Sequence, residues 1–223
     1  IKYEEEQDYP LYLRKSLKDG AEDEVMLNGP ELAKDHAYFQ IGGRSVSPDN
    51  KMLAYGVDTV SRRQYKIEFK SLETREVLDY AIENTTGNAV WANDNKTVFY
   101  TKKDPQTLRS NQVFRHQLGD DPKNDVLVFT EEDDTFICEV RKSKSGDYIF
   151  IDSYQTVSTE SRFISADDPL GDWKVVIPRR RHHEYSVYHF ENDFFYLTND
   201  NAQNFRLMKS PVEAFGDKDW EEV

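Results

Sequence analysis

The sequence is poor in cysteine, which limits the disulfides that the chain can form and the thiol chemistry that it can perform. Cys138 is the only cysteine among 223 residues. It cannot form an internal disulfide, so the fold does not depend on an oxidising compartment, and a cytoplasmic location is predicted. The thiol follows the apolar pair Phe136-Ile137 and has no Cys-x-x-Cys partner. A buried, unreactive side chain is expected.

Glycine is also scarce, with ten residues, no two of which are four positions apart. A nucleophile elbow of the Gly-x-Ser-x-Gly type needs that spacing, because its strained turn leaves no room for a Cβ. The sequence therefore excludes this kind of serine-hydrolase site. Gly42-Gly43 precedes a strand-like segment and not a helix, so a phosphate-binding loop is not expected. We predict no catalytic residue, no metal site and no cofactor in this chain.

Positive charge and long apolar runs are lacking as well. The net charge is −13, which disfavours nucleic acid and anionic membranes and favours basic ligands. No stretch approaches the roughly 18–20 apolar residues that cross a bilayer. The chain starts at Ile1, without a Met or a signal peptide's apolar core, which predicts a piece of a longer protein.

A strand-turn-strand phrase, by contrast, recurs at nearly even spacing. A period of about 45–50 residues is typical of β-propeller blades. The alternation of Tyr65, Ile67 and Phe69 with charged residues indicates strands and not helices. The alternative, separate small β-sandwiches, does not predict a common register. The four phrases span residues 45–55, 90–100, 140–151 and 186–197.

The period predicts an all-β fold, a single partial propeller domain over residues 1–223 of about four to five four-stranded antiparallel blades. The apolar run Phe194–Leu197 is expected to be a strand covered on both faces. Residues 29–34 are the best candidate for a short helix. The predicted units are a half blade at 1–28 and blades at 41–82, 88–131, 136–178 and 184–223.

Three polar clusters are weighed for function. His182-His183-Glu184 is favoured as a polar entry to a strand over a metal site, because adjacent residues on a strand point to opposite faces. Arg179-Arg180-Arg181 is favoured as a solvated or interdomain loop over an anion clamp. The run Glu131, Glu132, Asp133 and Asp134 joins two blades, where it either makes a local negative field or is a hydrated turn.

Six short motifs occur in order along the chain: Ser61–Tyr65, Val90–Asp94, Arg115-His116, Glu132–Phe136, His183–Ser186 and Asn204–Leu207. Together they resemble the propeller of the oligopeptidase B (protease II) group in the prolyl oligopeptidase family. The resemblance covers nearly the whole chain. Ala37 stands where relatives often have an acidic residue, so no salt bridge is proposed there.

The resemblance implies a seven-bladed propeller beside a C-terminal α/β-hydrolase domain that is absent from this chain and that cleaves short peptides after Lys or Arg. The propeller would cover the active site and restrict entry. Arg62 and Arg63 are candidates for contact with the hydrolase domain, as are the four acidic residues 131–134. Fewer than seven blades cannot close such a ring, so an open arc or an oligomer formed through exposed blade faces is expected.

Two other functions stay open at this point. One is a stand-alone propeller that binds a protein or peptide. The other is a propeller glycosidase, which would need inward carboxylates about 5–9 Å apart.

Overall fold

The computed structural model describes all residues, 1–223, and they form two compact units, 1–88 and 89–223. Antiparallel strands dominate both units, which confirms the all-β prediction. None of the helices has the length and hydropathy that a bilayer-spanning helix requires.

The first unit contains a strand pair and a larger antiparallel sheet. Strands β1 and β2 pair with each other, and β3, β4, β5 and β6 follow in sequential order. The short predicted helix is present as α1, Gly29–Ala33, with the Asn28 side chain accepting from the Glu31 amide at its start. The strands are β1 Leu11–Lys15, β2 Asp23–Asn28, β3 Gln40–Val46, β4 Met52–Asp58, β5 Tyr65–Ser71 and β6 Val77–Trp91, which ends in the second unit.

The second unit contains three sets of sequentially ordered antiparallel strands, β7-β8-β9, β10-β11-β12-β13 and β14-β15-β16-β17. Two short 3₁₀ helices, Pro122–Asn124 and Val212–Ala214, lie among them. The strands are β7 Thr97–Lys103, β8 Ser110–Gln117, β9 Val126–Thr130, β10 Ile137–Lys142, β11 Tyr148–Gln155, β12 Ser158–Ser165, β13 Lys174–Val175, β14 Tyr185–Phe190, β15 Asp193–Thr198, β16 Arg206–Pro211 and β17 Glu221–Glu222.

Face-to-face packing of consecutive sheets forms the cores. In the first unit, Leu27 of β2 packs with Leu53, Tyr55 and Val57 of β4. In the second unit, one core joins β7 and β8 to β10–β12, and another joins β11 and β12 to β14–β16. The second of these is rich in aromatic rings, with Phe163 and Phe194 edge to face at 5.0 Å. Alternate residues of each strand supply these cores, as period-two sequence patterning requires.

The prediction that Phe194–Leu197 is covered on both faces is wrong. Phe194 and Tyr196 are fully buried, whereas Leu197 is 43% exposed. The reason is that only one face of the β14–β17 sheet packs against another sheet. Its opposite face, which we call the outer face, carries the exposed side chains of Tyr188, Phe190, Leu197 and Leu207.

Candidate functional site

The loop between β4 and β5, residues 59–64, holds two of the predicted contact residues. Arg62 and Arg63 are both exposed. The loop is organised by Asp58, a fully buried side chain whose carboxylate accepts from the backbone N–H groups of Val60, Ser61 and Arg63 at 2.8, 3.1 and 2.8 Å. Such a carboxylate satisfies donors that a tight turn would otherwise leave unpaired. The backbone is therefore fixed, and both arginine residues lie at the surface.

The acidic segment between β9 and β10 is built differently, because its first residue is internal. Glu131 is only 4% exposed and forms an ion pair with Arg179, Oε2 to Nη2, at 2.5 Å. The Ser153 hydroxyl donates to the same carboxylate, and the Asp133 amide donates to Oε1 at 3.0 Å. The Arg179 guanidinium also lies over the Phe136 ring, 3.6 Å from its centroid.

The charge state of Glu131 follows from these contacts. Burial opposes ionisation of the carboxyl group, but hydrogen bonds from Arg179 and Ser153 outweigh it and hold its pKa below the usual value. Charge-assisted hydrogen bonds of this kind are the strong ones. Glu131 is therefore a structural anion, and Arg179 is its partner and not a solvated loop residue.

A second arginine holds the backbone of the same segment. Arg109 donates to the carbonyl oxygens of Glu131, Asp133 and Phe136, at 3.1, 2.7 and 2.8 Å. Glu132, Asp133 and Asp134 stay exposed. The four predicted acidic residues thus divide into one internal anchor and three solvent-facing charges on a rigid backbone.

The histidine pair after the arginine run is also divided. His183 is buried, lies 3.0 Å from the Thr198 hydroxyl through Nε2, and stacks on the Tyr185 ring. Burial, with the nearby Arg180, lowers its pKa. His182 is exposed. The structure contains no group of three or more His, Cys, Asp or Glu side chains placed to hold a metal ion.

Cys138 is buried, as predicted, and makes no disulfide. Burial, together with the nearby Glu131 charge, raises the pKa of its thiol to about 12. A thiol with such a pKa is not a nucleophile at neutral pH.

Sequence reasoning missed a cleft of about 450 Å³ within the second unit. Its floor is Arg141, whose Nε donates to Asp152 at 2.5 Å and whose Nη2 donates to the Val187 carbonyl at 2.9 Å. Only one of the sequence motifs, His183–Ser186, contributes to it, because its walls come from four strands and a loop. They are Glu139, Arg141, Asp152, Tyr154, Gln155, Thr159, Glu184, Tyr185, Ser186 and Tyr188.

The family is shown by comparison with known proteins. Residues 1–223 match the family model described as the prolyl oligopeptidase N-terminal β-propeller domain. The chain is 37% identical to dipeptidyl aminopeptidase BI of Pseudoxanthomonas mexicana, over 96% of this chain and 32% of the relative. It is 35% identical to protease 2 of Moraxella lacunata, over 94% of this chain and 31% of the relative.

Solved structures agree with this assignment. Oligopeptidase B from Trypanosoma brucei superimposes with a TM-score of 0.85 at 26% identity, covering 96% of this chain and 31% of that one. Oligopeptidase B from Leishmania major gives 0.84 at 25% identity, covering 96% and 30%. The chain thus spans about a third of the length of the relatives it matches. It belongs to the prolyl oligopeptidase family, as part of the N-terminal β-propeller of a peptidase.

Proposed function

We propose that this chain is the non-catalytic lid of a serine oligopeptidase, which admits short peptides to a C-terminal α/β-hydrolase domain and excludes folded proteins. The observation that carries the proposal is the match of the whole chain to the family's propeller model. The sequence supports it, because the chain lacks a Gly-x-Ser-x-Gly elbow of its own. Lid closure of this kind excludes water and completes the substrate site.

The lid's contact with the hydrolase domain is assigned to the two charged loops. Arg62 and Arg63 project from a turn whose backbone is fixed by Asp58, and Glu132, Asp133 and Asp134 project from a segment fixed by Arg109. Exposed charges on rigid backbone are suited to reversible ion pairs, because the ordering cost falls only on the side chains. Glu131 takes no direct part in that contact.

The proposed substrates are short peptides cleaved after Lys or Arg, in keeping with the net charge of −13. The single buried cysteine supports a cytoplasmic location. The relatives' names differ, one being a dipeptidyl aminopeptidase and another a protease. Cleavage position therefore has to be measured on this protein itself.

The test compares the full-length protein with the purified 223-residue chain on arginyl and lysyl amide substrates. We expect turnover by the full-length protein only, and labelling by a serine-directed phosphonate only outside this chain. A matched substrate with citrulline in place of arginine should be cleaved poorly. Turnover by the chain alone, or release of N-terminal dipeptides regardless of basic residues, would overturn the assignment.

The outer face of the β14–β17 sheet indicates a contact surface of the chain. Tyr188, Phe190, Leu197 and Leu207 resemble the buried face of the same sheet in apolar character, and large exposed apolar patches mark contact surfaces. We propose that a further blade covers Phe190, Leu197 and Leu207 in the longer protein and leaves Tyr188, on the edge strand β14, open to the solvent. In the isolated chain, a second copy covers the same three side chains.

Sedimentation of the isolated chain tests the outer face. Phe190→Ser should shift the dimer towards monomer at an unchanged unfolding midpoint, because the Phe190 side chain is 63% exposed. The control is Phe205→Ser, which lies in the loop before β16. A wild-type chain that stays monomeric at high concentration would contradict self-association.

A further inference from the structure

The cleft beside β10 and β14 has the size and lining of a ligand site. Its volume of about 450 Å³ falls in the range of small-molecule pockets. Three tyrosine side chains, those of Tyr154, Tyr185 and Tyr188, contribute to its walls together with the polar groups. Aromatic walls with a few convergent charges are typical of sites that bind one side chain or a small molecule.

The electrostatics of the cleft favour a cation. Arg141 brings the only positive charge among the lining residues, and its ion pair with Asp152 at 2.5 Å neutralises it. Asp152 also accepts from the Ser161 hydroxyl at 2.6 Å, so this pair is fully engaged as the floor. Two carboxylates, Glu139 and Glu184, remain as net negative charge on the walls.

These two carboxylates differ in how they are held. Glu184 accepts from the Asn199 side chain at 3.2 Å, which positions it at the cleft wall. The Glu139 side chain makes no hydrogen bond or ion pair within the chain, and only its backbone is paired, with Asp152 of β11. Partial removal from water, with the charge of Asp152 on the neighbouring strand, raises its pKa against a smaller opposing effect of Arg141. An added cation would relieve both effects.

Tyrosine rings add a second, independent attraction for the same ligand. A guanidinium or ammonium group over an aromatic face gains electrostatic energy from the ring quadrupole. Tyr188 is 53% exposed and borders the cleft, so its ring is available to a ligand. Carboxylates alone would suit a metal ion equally well, whereas the tyrosines select an organic cation.

We propose that this cleft binds a Lys or Arg side chain of a peptide substrate, at a position separate from the cleaved bond, with Glu139 as the charge partner and Tyr188 as the aromatic wall. The proposal rests on the proposed function for the identity of the peptide. It assigns to the propeller a part in substrate selection besides steric exclusion.

The test is calorimetric binding of N-acetyl-arginine amide to the full-length protein, with N-acetyl-citrulline amide as the uncharged match. Binding of the arginine probe at the active site is the same in all variants, because none of them changes an active-site residue. Differences in affinity between the variants therefore report on the cleft. Glu139→Gln should weaken the cleft's affinity for the arginine probe about tenfold, and Tyr188→Ala about threefold. Tyr188→Phe should retain it, and Glu76→Gln, an exposed acid outside the cleft, should leave it unchanged.

The proposal would be overturned if the arginine probe bound wild type and Glu139→Gln with equal affinity. It would also be overturned if wild type bound the citrulline probe as tightly as the arginine probe. The test does not depend on peptidase activity, because calorimetry measures binding of the probe directly. Its outcome is therefore distinct from a failure of the proposed function. Unfolding midpoints check that each variant is folded, and Tyr188→Ala gives an answer of its own if Glu139→Gln does not fold.

Discussion

The two charged loops, one basic at residues 59–64 and one acidic at residues 131–134, differ in how their charges are used. In the loop after β4, one buried carboxylate holds three backbone N–H groups and both arginines stay in solvent. In the segment after β9, two arginines hold the loop, and one of its own carboxylates is buried against Arg179. In the first loop both charged side chains are at the surface. In the second loop one of the four carboxylates, that of Glu131, stabilises the fold through its ion pair with Arg179.

The largest expected effect follows from removing the cation of the buried pair. Arg179→Met leaves Glu131 buried without its main partner and should lower the free energy of unfolding by about 3 kcal/mol. Urea denaturation of the purified chain measures this. The neighbouring exposed Arg181→Met is the control, with an expected change within about 0.5 kcal/mol.

A double variant separates the lost pair from lost packing. Adding Glu131→Gln to Arg179→Met removes the uncompensated charge, so part of the stability should return. An Arg179→Met variant as stable as Arg181→Met would show that the pair does not support the fold.

A smaller effect is expected in the other loop. Asp58→Ala strands three backbone N–H groups and should cost about 2 kcal/mol, with faster hydrogen exchange confined to residues 59–64. Asp79→Ala, an exposed position on β6, serves as the control. Unchanged exchange of the Val60, Ser61 and Arg63 amides would contradict the role given to Asp58.

Acid should weaken the second loop's anchor. The pKa of Glu131 is lowered in the folded chain, so its contribution to stability is present above the ordinary carboxyl pKa and is lost as pH falls through the folded value. The unfolding free energy of wild type should therefore fall more steeply than that of Glu131→Gln between pH 5 and 3, a range that is about the titration range of carboxyl groups. Parallel curves for the two proteins would be evidence against a charged Glu131.

Period-two patterning was sufficient to predict the strands, because alternate burial leaves a direct trace in residues such as Tyr65, Ile67 and Phe69. It could not predict that Leu197 is exposed, since coverage of a face depends on which sheet packs there. Nor could it separate Glu131 from Glu132, because that difference arises from Arg179, 48 residues away. The cleft could not be predicted for the same reason, because Glu139 and Glu184 are 45 positions apart and line one cleft only in the folded chain.

The proposed lid function can be tested with the Arg62→Ala/Arg63→Ala double variant of the full-length protein. Its kcat/KM is measured on a short arginyl peptide and on a long unfolded polypeptide that carries the same cleavage sequence. We predict an unchanged unfolding midpoint and a preference for the short peptide reduced about tenfold, the effect of losing ~1.4 kcal/mol of closed-state contact. A preference identical to that of wild type would contradict the assignment of this loop to the closure of the lid.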